Sequence, residues 1–300
     1  MTDDEPCGNG PGDDANEWPF TAAGRRALGR DAEAAFCDAA MHCVDCRWYH
    51  ASWTMWRALE LASGADLHRR FFRDALPALA PGPRVLISGS GDNALLSVAA
   101  DALGSQARSA RIHVLDRCAT PLAACRRFAD EQQLDVHCHL ADALHFDDAA
   151  GFDLILVHAF FGFIEPAQRA DLFSRWYDGL ASGGHLMLVQ RLRPGTNDSP
   201  VRFSASQTQR FVDDVHGAAL AFPERVSLDA EALEQTAREY ALSKLTHPVA
   251  DGELLQSLCT GAGFRIVSCT GTTPCGDPGD SAGPTLRNLD GYLHVVARKN

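Results

Sequence analysis

From about residue 84 to residue 192 the chain alternates short apolar runs with longer amphipathic segments. The apolar runs are typical of buried strands, and the segments between them have the spacing of amphipathic helices. The predicted strands are 84–88, 111–116, 135–142, 152–160 and 185–192, and the predicted helices are 93–103, 120–132 and 166–180. This alternation predicts an α/β fold with a parallel, doubly wound sheet.

The pattern changes on both sides of this region. Before it, residues 31–61 and 66–79 read as two helices, and residues 1–18 have the composition of a disordered tail. After it, 204–245 holds two helical stretches, and a short helix precedes two final strands. We therefore expect four parts: a tail at 1–18, N-terminal helices at 19–80, a core domain at 84–192 and 251–300, and a helical lid insertion at 193–250.

Charge and cysteine content narrow the function classes. The net charge of −12 opposes binding of a long polyanion, and no dense basic run overrides it, so we expect no nucleic-acid partner. No apolar run is long enough to span a membrane, and the N-terminus lacks the regions of a signal peptide. The ten scattered cysteines do not resemble a disulfide framework, so we expect free thiols in a cytoplasmic protein.

The stretch "HCVDCRWYHASWTMW" raises the question of a metal site. Cys43, Cys46 and His50 fall at helical positions i, i+3 and i+7, so one face could present three ligands. A structural zinc site needs four ligands, which would require Cys37 or His42 to take part. No second Cys-x-x-Cys follows, and we predict no metal.

The stretch "RVLISGSGDNALL" (84–96) has the order strand, glycine turn, helix. Gly89 and Gly91 would let a ligand approach the backbone at the start of the helix. Asp116 ends the next strand, where an acid can accept hydrogen bonds from ribose hydroxyls. Asp142 and His158 follow later strands, so these side chains should meet at one edge of the sheet. This pattern fits NAD, with Ala94 in the third glycine position, and also other nucleoside cofactors.

Further along the chain the motifs "VLD", "LADAL", "FDLILVHAFF", "LASGGHLMLVQRL", "LCTGAGFRIVSCT" and "GYLHVVARK" occur in order. Together with the glycine loop, this series resembles the class I S-adenosylmethionine-dependent methyltransferases over 84–192 and 251–299. The resemblance implies a seven-stranded, mostly parallel sheet with an antiparallel last strand. It also implies S-adenosylmethionine as cofactor and a methyl-transferring enzyme.

The resemblance also assigns candidate roles by position. Around the glycine loop and the next two strand ends, the cofactor-binding candidates are Ser88, Gly89, Ser90, Gly91, Asp116, Arg117, Asp142 and Ala143. His158 falls near the expected position of the sulfonium, and Trp48 belongs to a helix that would cover the adenosine. Two positions depart from the family pattern, since Ile87 replaces an acid and Asn93 replaces a glycine.

For the chemistry, His158 is the first candidate base because imidazole titrates near neutrality, and His50 and Tyr49 are second candidates. Phe161 would wall the acceptor site, and Arg191 would pair with a carboxylate or phosphate. We expect a small-molecule acceptor, no membrane partner, and leave a homodimer open. Three alternatives stay open: another use of the same cofactor, a non-catalytic binding protein, and an NAD-dependent dehydrogenase.

Overall fold

The computed structural model describes residues 22–194, 196, 199–271 and 291–300. The strands are β1 (Arg84–Ser88), β2 (Arg111–Asp116), β3 (Asp135–Leu140), β4 (Phe152–His158), β5 (Leu180–Arg191), β6 (Arg265–Gly271) and β7 (Tyr292–Arg298). The helices are α1 (Ala22–His42), α2 (Arg47–His50), α3 (Trp53–Ala58), α4 (Arg69–Asp74), α5 (Ala94–Leu103), α6 (Ala119–Gln132), α7 (Arg169–Gly179), α8 (Ala205–Ala221), α9 (Ala230–Ser243) and α10 (Gly252–Gly261).

The seven strands form one sheet in the order β3-β2-β1-β4-β5-β7-β6. The pairs among β1 to β5 are parallel, and β7 runs antiparallel to both of its neighbours, β5 and β6. The predicted fold class is therefore confirmed, including the antiparallel last strand. Since the switch in strand order lies between β1 and β4, the carboxyl ends of these strands open a crevice at that point.

Apolar side chains bury both faces of the sheet. On one face, Val85 and Ile87 of β1 pack with Leu96 of α5 and Leu122 of α6. On the other face, residues of β4 and β5 pack with α7 and α10. Ile87 is fully buried in the first of these layers, so the position that resembles an acidic site in the family belongs to the hydrophobic core here.

A third apolar cluster lies outside the sheet and joins distant parts of the chain. Leu28 and Trp56, from the N-terminal helices, pack with Phe211 of α8 and Tyr240 of α9. Trp56 contacts the rings of both Phe211 and Tyr240, at centroid distances of 5.5 Å and 5.9 Å. The predicted insertion (193–250) and the predicted N-terminal segment (19–80) therefore share one hydrophobic core. Their boundaries stay predictions.

The prediction of one helix over 31–61 is wrong. The chain leaves the helix after His42 and turns through 43–46, where Val44 is 90% exposed, before α2 and α3 form. This turn contains no glycine or proline, so no helix-breaking residue indicates it in the sequence. The second predicted helix is shorter than expected, with a 3₁₀ turn at Ala65–His68 followed by α4.

The predicted disordered tail and the glycine- and proline-rich loop after β6 lie outside the described residues. Within the described residues, no helix combines the length and apolarity needed to cross a membrane.

Candidate functional site

A cavity of about 840 Å³ opens above the carboxyl ends of β1, β2 and β4. One wall is the edge of the sheet with its connecting loops. The other wall is helical and comes from α2, α3 and the segment around the end of α9. The volume falls within the range of cofactor and small-molecule sites.

The glycine loop lies against aromatic rings of both walls. Gly89 has a φ of +82°, and a Cβ at this position would lie 2.5 Å from the Phe160 ring. A Cβ on Gly91 would lie 2.9 Å from the hydroxyl of Tyr49 and 3.1 Å from Nε1 of Trp53. Both glycines are therefore required by backbone conformation or by close packing.

A buried ion-pair network ties this loop to the N-terminal helices. The guanidinium of Arg57 in α3 donates to the carboxylates of Asp92 and Asp66, the latter at 2.7 Å. Asp92 also accepts a hydrogen bond from the backbone N–H of Ala94 at 2.8 Å and so caps α5. The neighbouring Asn93 donates from Nδ2 to Asp31 of α1 at 3.1 Å. The amide that departs from the family pattern thus connects the loop to α1.

Asp116 is fixed by the backbone at the end of β2. Its two carboxylate oxygens accept one hydrogen bond each, from the N–H of Ser90 at 3.0 Å and of Cys118 at 2.8 Å. Burial raises the pKa of this carboxyl above its ordinary value, while the hydrogen bond from Ser90 opposes the shift. Because each carboxylate oxygen has two lone pairs, one acceptor direction on each remains for a ligand hydroxyl.

Asp142 lies at the predicted adenine side of the site. Its side chain accepts from the N–H of Leu144 at 2.9 Å and lies 3.6 Å from Arg117 Nε. Ala143 and Arg117 line the cavity. The assignment of the Asp142 side chain to the cofactor stays a prediction.

Two assignments are corrected by burial. The hydroxyl of Ser88 accepts a hydrogen bond from Nε1 of Trp176 at 3.0 Å, on the face of the sheet covered by α7. Phe161 is fully buried and stacks on Phe173 at a centroid distance of 5.4 Å. Neither side chain lines the cavity, because both belong to the core beneath it.

His158 lies in the cavity wall at the end of β4. Burial lowers its pKa to about 3, so the ring is neutral near pH 7. Its Nε2 is buried and has no hydrogen-bond partner within the described part of the chain. A neutral imidazole of such low basicity can orient a ligand by hydrogen bonding, but it is a poor base for the role predicted from sequence.

The helix α2 brings Trp48, Tyr49 and His50 to the cavity, as the resemblance implied for Trp48. Tyr49 stacks on Trp53 with centroids 5.4 Å apart, and burial raises its pKa well above the ordinary value of a phenol. Tyr49 therefore remains a neutral phenol near pH 7.

His50 lies beside Cys118, the residue that precedes α6. Burial raises the pKa of the Cys118 thiol, but the hydrogen bond and charge of His50, with hydrogen bonds from Thr120, outweigh it and lower the pKa to about 6. Cys118 was not a candidate in the sequence because nothing in its own segment marks it.

Basic side chains also line the cavity, and of these the sequence analysis assigned Arg191 but not Lys244 or Arg193. Lys244, just after α9, lies 4.0 Å from the centroid of the Phe163 ring and 4.9 Å from that of Tyr49. Burial, with the charge of Arg193, lowers its pKa to about 7. Arg191 and Arg193 line the same region, and burial lowers the pKa of Arg191 to about 9. One sequence signal was available, since Lys244 and Lys299 are the only lysines in the chain.

Several solved structures are similar to this chain. A possible exported protein from Bordetella parapertussis shares the fold at a TM-score of 0.51, with 17% identity over 93% of this chain and 97% of that one. A proposed sarcosine dimethylglycine methyltransferase from Galdieria sulphuraria does so at 0.50, with 10% identity over 79% and 87%. The N-methyltransferase NodS from Bradyrhizobium japonicum WM9, bound to S-adenosyl-L-homocysteine, has a TM-score of 0.46 and 14% identity over 91% and 98%.

No curated protein matches the chain in sequence. The family model described as a methyltransferase domain matches residues 85–184, which run from β1 into β5. The family uses S-adenosylmethionine. The glycine loop and Asp116 lie inside the matched region and present the backbone and the acceptor oxygens that such a nucleoside needs. Over residues 85–184 the chain is therefore similar to the methyltransferase domain family.

Proposed function

We propose that the protein methylates a small, negatively charged molecule, and that Lys244 removes a proton from the acceptor. The observation that carries this proposal is that one cavity is lined both by the cofactor loop and by a buried basic and aromatic group. A volume of about 840 Å³ accommodates a nucleoside cofactor beside a small acceptor rather than a polymer.

The negative charge of the acceptor is inferred from Arg191 and Arg193. Burial lowers the pKa of both guanidiniums, and the charge of Arg193 lowers the pKa of Arg191 further. An anion bound beside the two guanidiniums would oppose this repulsion. A guanidinium can also hold a carboxylate or phosphate through two parallel hydrogen bonds.

On the cofactor side, the backbone around Gly89 and Gly91 would hold the methionine part, and the free lone pairs of Asp116 would accept from the ribose hydroxyls. The backbone of Ala143 would lie beside the adenine ring. When bound, S-adenosylmethionine supplies a methyl group that is already activated. The protein therefore has to position the acceptor and handle its proton.

Lys244 suits proton removal because its pKa of about 7 leaves a substantial neutral fraction near neutrality. Arg191, with a pKa of about 9, stays protonated near neutrality, whereas the lysine does not stay fully so. The rings of Tyr49 and Phe163 surround the amine and exclude water from it. His158 stays neutral and would orient the acceptor or the cofactor with its unpartnered nitrogen.

The experiment is a mass-spectrometric screen of small-molecule extracts incubated with the protein and S-adenosylmethionine. The cofactor is labelled in one arm in the methyl group and in another in the amino-acid part. We expect an acidic metabolite to gain only the methyl label. Label from the amino-acid part would instead indicate transfer of another piece of the cofactor, and an absence of products over all extracts would contradict the proposal.

With an acceptor in hand, the pH profile tests Lys244. We expect kcat of the wild type to rise through a pKa near 7 as Lys244 loses its proton, and Lys244→Met to lose most of the turnover while cofactor affinity persists. Lys299→Met, a change to the other lysine, is the matched control. A Lys244→Met variant with full turnover and the same pH profile would remove Lys244 from this role.

The cysteines support a further part of the proposal, a cytoplasmic location. Within the described residues eight cysteines are free thiols, as a reducing compartment would keep them.

A further inference from the structure

Three cysteine sulfurs converge beside the cofactor end of the cavity. Cys43 and Cys46 come from the turn between α1 and α2, and Cys118 comes from the loop between β2 and α6. Their sulfur atoms all lie within 4.8 Å of one another, and those of Cys43 and Cys118 are 3.4 Å apart. Two chain segments that are far apart in sequence thus supply thiols to one point.

The spacing of these sulfurs fits a metal ion. Zinc binds thiolates at about 2.3 Å in tetrahedral geometry, which places pairs of ligand sulfurs about 3.8 Å apart. A separation of 3.4 Å is too long for a disulfide, whose sulfurs lie about 2.05 Å apart. Small side-chain rotations are enough to bring these sulfurs to the spacing of a three-thiolate site.

The surroundings of Cys118 also favour a thiolate. Cys118 occupies the position before the first residue of α6, a helix of 14 residues whose amino-terminal end stabilises negative charge. The hydroxyl of Thr120, in the first turn, lies 3.3 Å from the sulfur of Cys43. His50 contacts Cys118, and its buried Nδ1 has no hydrogen-bond partner among the described residues.

We propose that Cys43, Cys46 and Cys118 bind a soft, thiophilic cation such as Zn²⁺, with its fourth coordination position towards the cavity. Each thiol gives up its proton to solvent as its sulfur–metal bond forms. Cys46, Cys118 and His50 line the cavity, so that position is open to a ligand there. His50 acts as a positioning residue for Cys118.

This site has a structural consequence for the cofactor loop. Cys118 lies two residues after Asp116, whose carboxylate accepts the Cys118 N–H at 2.8 Å. A cation held by the three thiolates would therefore fix the ribose-binding acid to the turn that leads into α2. The sequence alone predicted no metal because it showed only two of these thiols close together.

The test uses the full, reduced chain freed of metal by chelation. It is titrated with Co²⁺ and then with Zn²⁺ against a chromophoric chelator. We expect one equivalent of Co²⁺ to give tetrahedral absorption bands and a sulfur-to-cobalt charge-transfer band, and one equivalent of Zn²⁺ to displace it. Absence of the charge-transfer band, or of stoichiometric Zn²⁺ binding, overturns the proposal.

Cysteine variants define the ligands. Cys43→Ser, Cys46→Ser and Cys118→Ser should each weaken Zn²⁺ binding by more than the roughly 10–100-fold that loss of an outer-shell partner costs. Cys37→Ser, which changes an exposed thiol on α1, is the matched control and should bind as the wild type does. His50→Gln should weaken affinity by about 10–100-fold and leave the charge-transfer intensity of three thiolates unchanged. Equal binding by the wild type and a triple cysteine variant would contradict the assignment.

A second measurement avoids variants that fail to fold. The wild-type chain is alkylated with iodoacetamide, with and without Zn²⁺, and its peptides are analysed by mass spectrometry. We expect Zn²⁺ to protect Cys43, Cys46 and Cys118 while Cys37 reacts at the same rate. Unchanged alkylation of all four overturns the proposal. Because neither measurement involves methyl transfer, a failure here is distinct from a failure of the proposed function.

Discussion

The two walls of the cavity are built in different ways. The sheet wall consists of loops that each follow a strand, so its chemistry lies in short, local motifs such as "SGSGD" and "VLD". The helical wall combines α2 and α3 with the segment after α9, and its parts meet in the third apolar cluster and where Lys244 contacts Tyr49. Local patterns therefore reveal the sheet wall, whereas the helical wall depends on contacts between distant segments.

The largest expected effect comes from the residue that joins the two walls. Arg57→Met leaves the buried carboxylates of Asp66 and Asp92 without their cation, and loss of one partner of a buried ion pair costs about 3–5 kcal/mol. Chemical denaturation should show this loss in the free energy of unfolding. Arg70→Met, which removes an exposed i,i+4 pair with Asp74, should change it by no more than about 0.5 kcal/mol. Equal effects of the two variants would mean that the walls are not held together by Arg57.

A smaller effect is expected in the sheet wall at Gly89. Gly89→Ala places a side chain in a left-handed conformation and against the Phe160 ring, and together these cost about 2–4 kcal/mol in stability. Adding Phe160→Leu to Gly89→Ala should restore the stability lost to the clash with the ring. The stability lost to the left-handed backbone conformation should remain lost. Gly217→Ala in α8, where the added Cβ meets nothing, should instead be neutral or slightly stabilising. A thermal denaturation series measures all three.

Measuring cofactor affinity tests whether Asp116, in the sheet wall, binds the cofactor, independently of its effect on stability. Asp116→Ala should weaken S-adenosylmethionine binding by one to two orders of magnitude, about 1.5–3 kcal/mol for a lost charged acceptor. Isothermal calorimetry checks this, with the exposed Asp135 at the start of β3 changed to Ala as control. Unchanged affinity in Asp116→Ala would remove this carboxylate from the ribose site.

The smallest expected effect is a change in how stability depends on pH. His158 has a pKa of about 3 in the folded protein and an ordinary value near 6.5 when unfolded, so its neutral form is favoured by folding. The contribution of His158 to the free energy of unfolding is complete above about pH 6.5. It is lost as the pH falls from there towards 3, because the unfolded chain takes up the proton first. His158→Gln should reduce the proton uptake on unfolding at pH 4–6 by about one.

Much of the fold could be predicted because strands that are covered on both faces leave a clear apolar signature. All five strands predicted in the alternating region exist, and the two final strands form the antiparallel edge. The N-terminal helix was predicted as one element because its helical spacing continues through the turn at 43–46. Only the contacts of Cys43 and Cys46 with the β2–α6 loop reveal why the chain turns there.

The site was predictable as a set of loops but less so as a set of side chains. Asp116 and the glycines could be located because their roles depend on strand order. Ser88 and Phe161 could not be placed correctly, because the sequence does not show which of two neighbouring residues faces the cavity and which faces the core. Lys244 was missed because its pKa depends on burial by Tyr49 and Phe163, which lie far away in sequence.

The third apolar cluster has a consequence for the order in which the protein is made. Trp56 is synthesised long before Phe211 and Tyr240, the rings against which it packs. The apolar surface of the N-terminal helices therefore stays exposed until α8 and α9 have left the ribosome and can pack against it. We expect the sheet wall to acquire its structure during synthesis and the cavity to be enclosed only near the end.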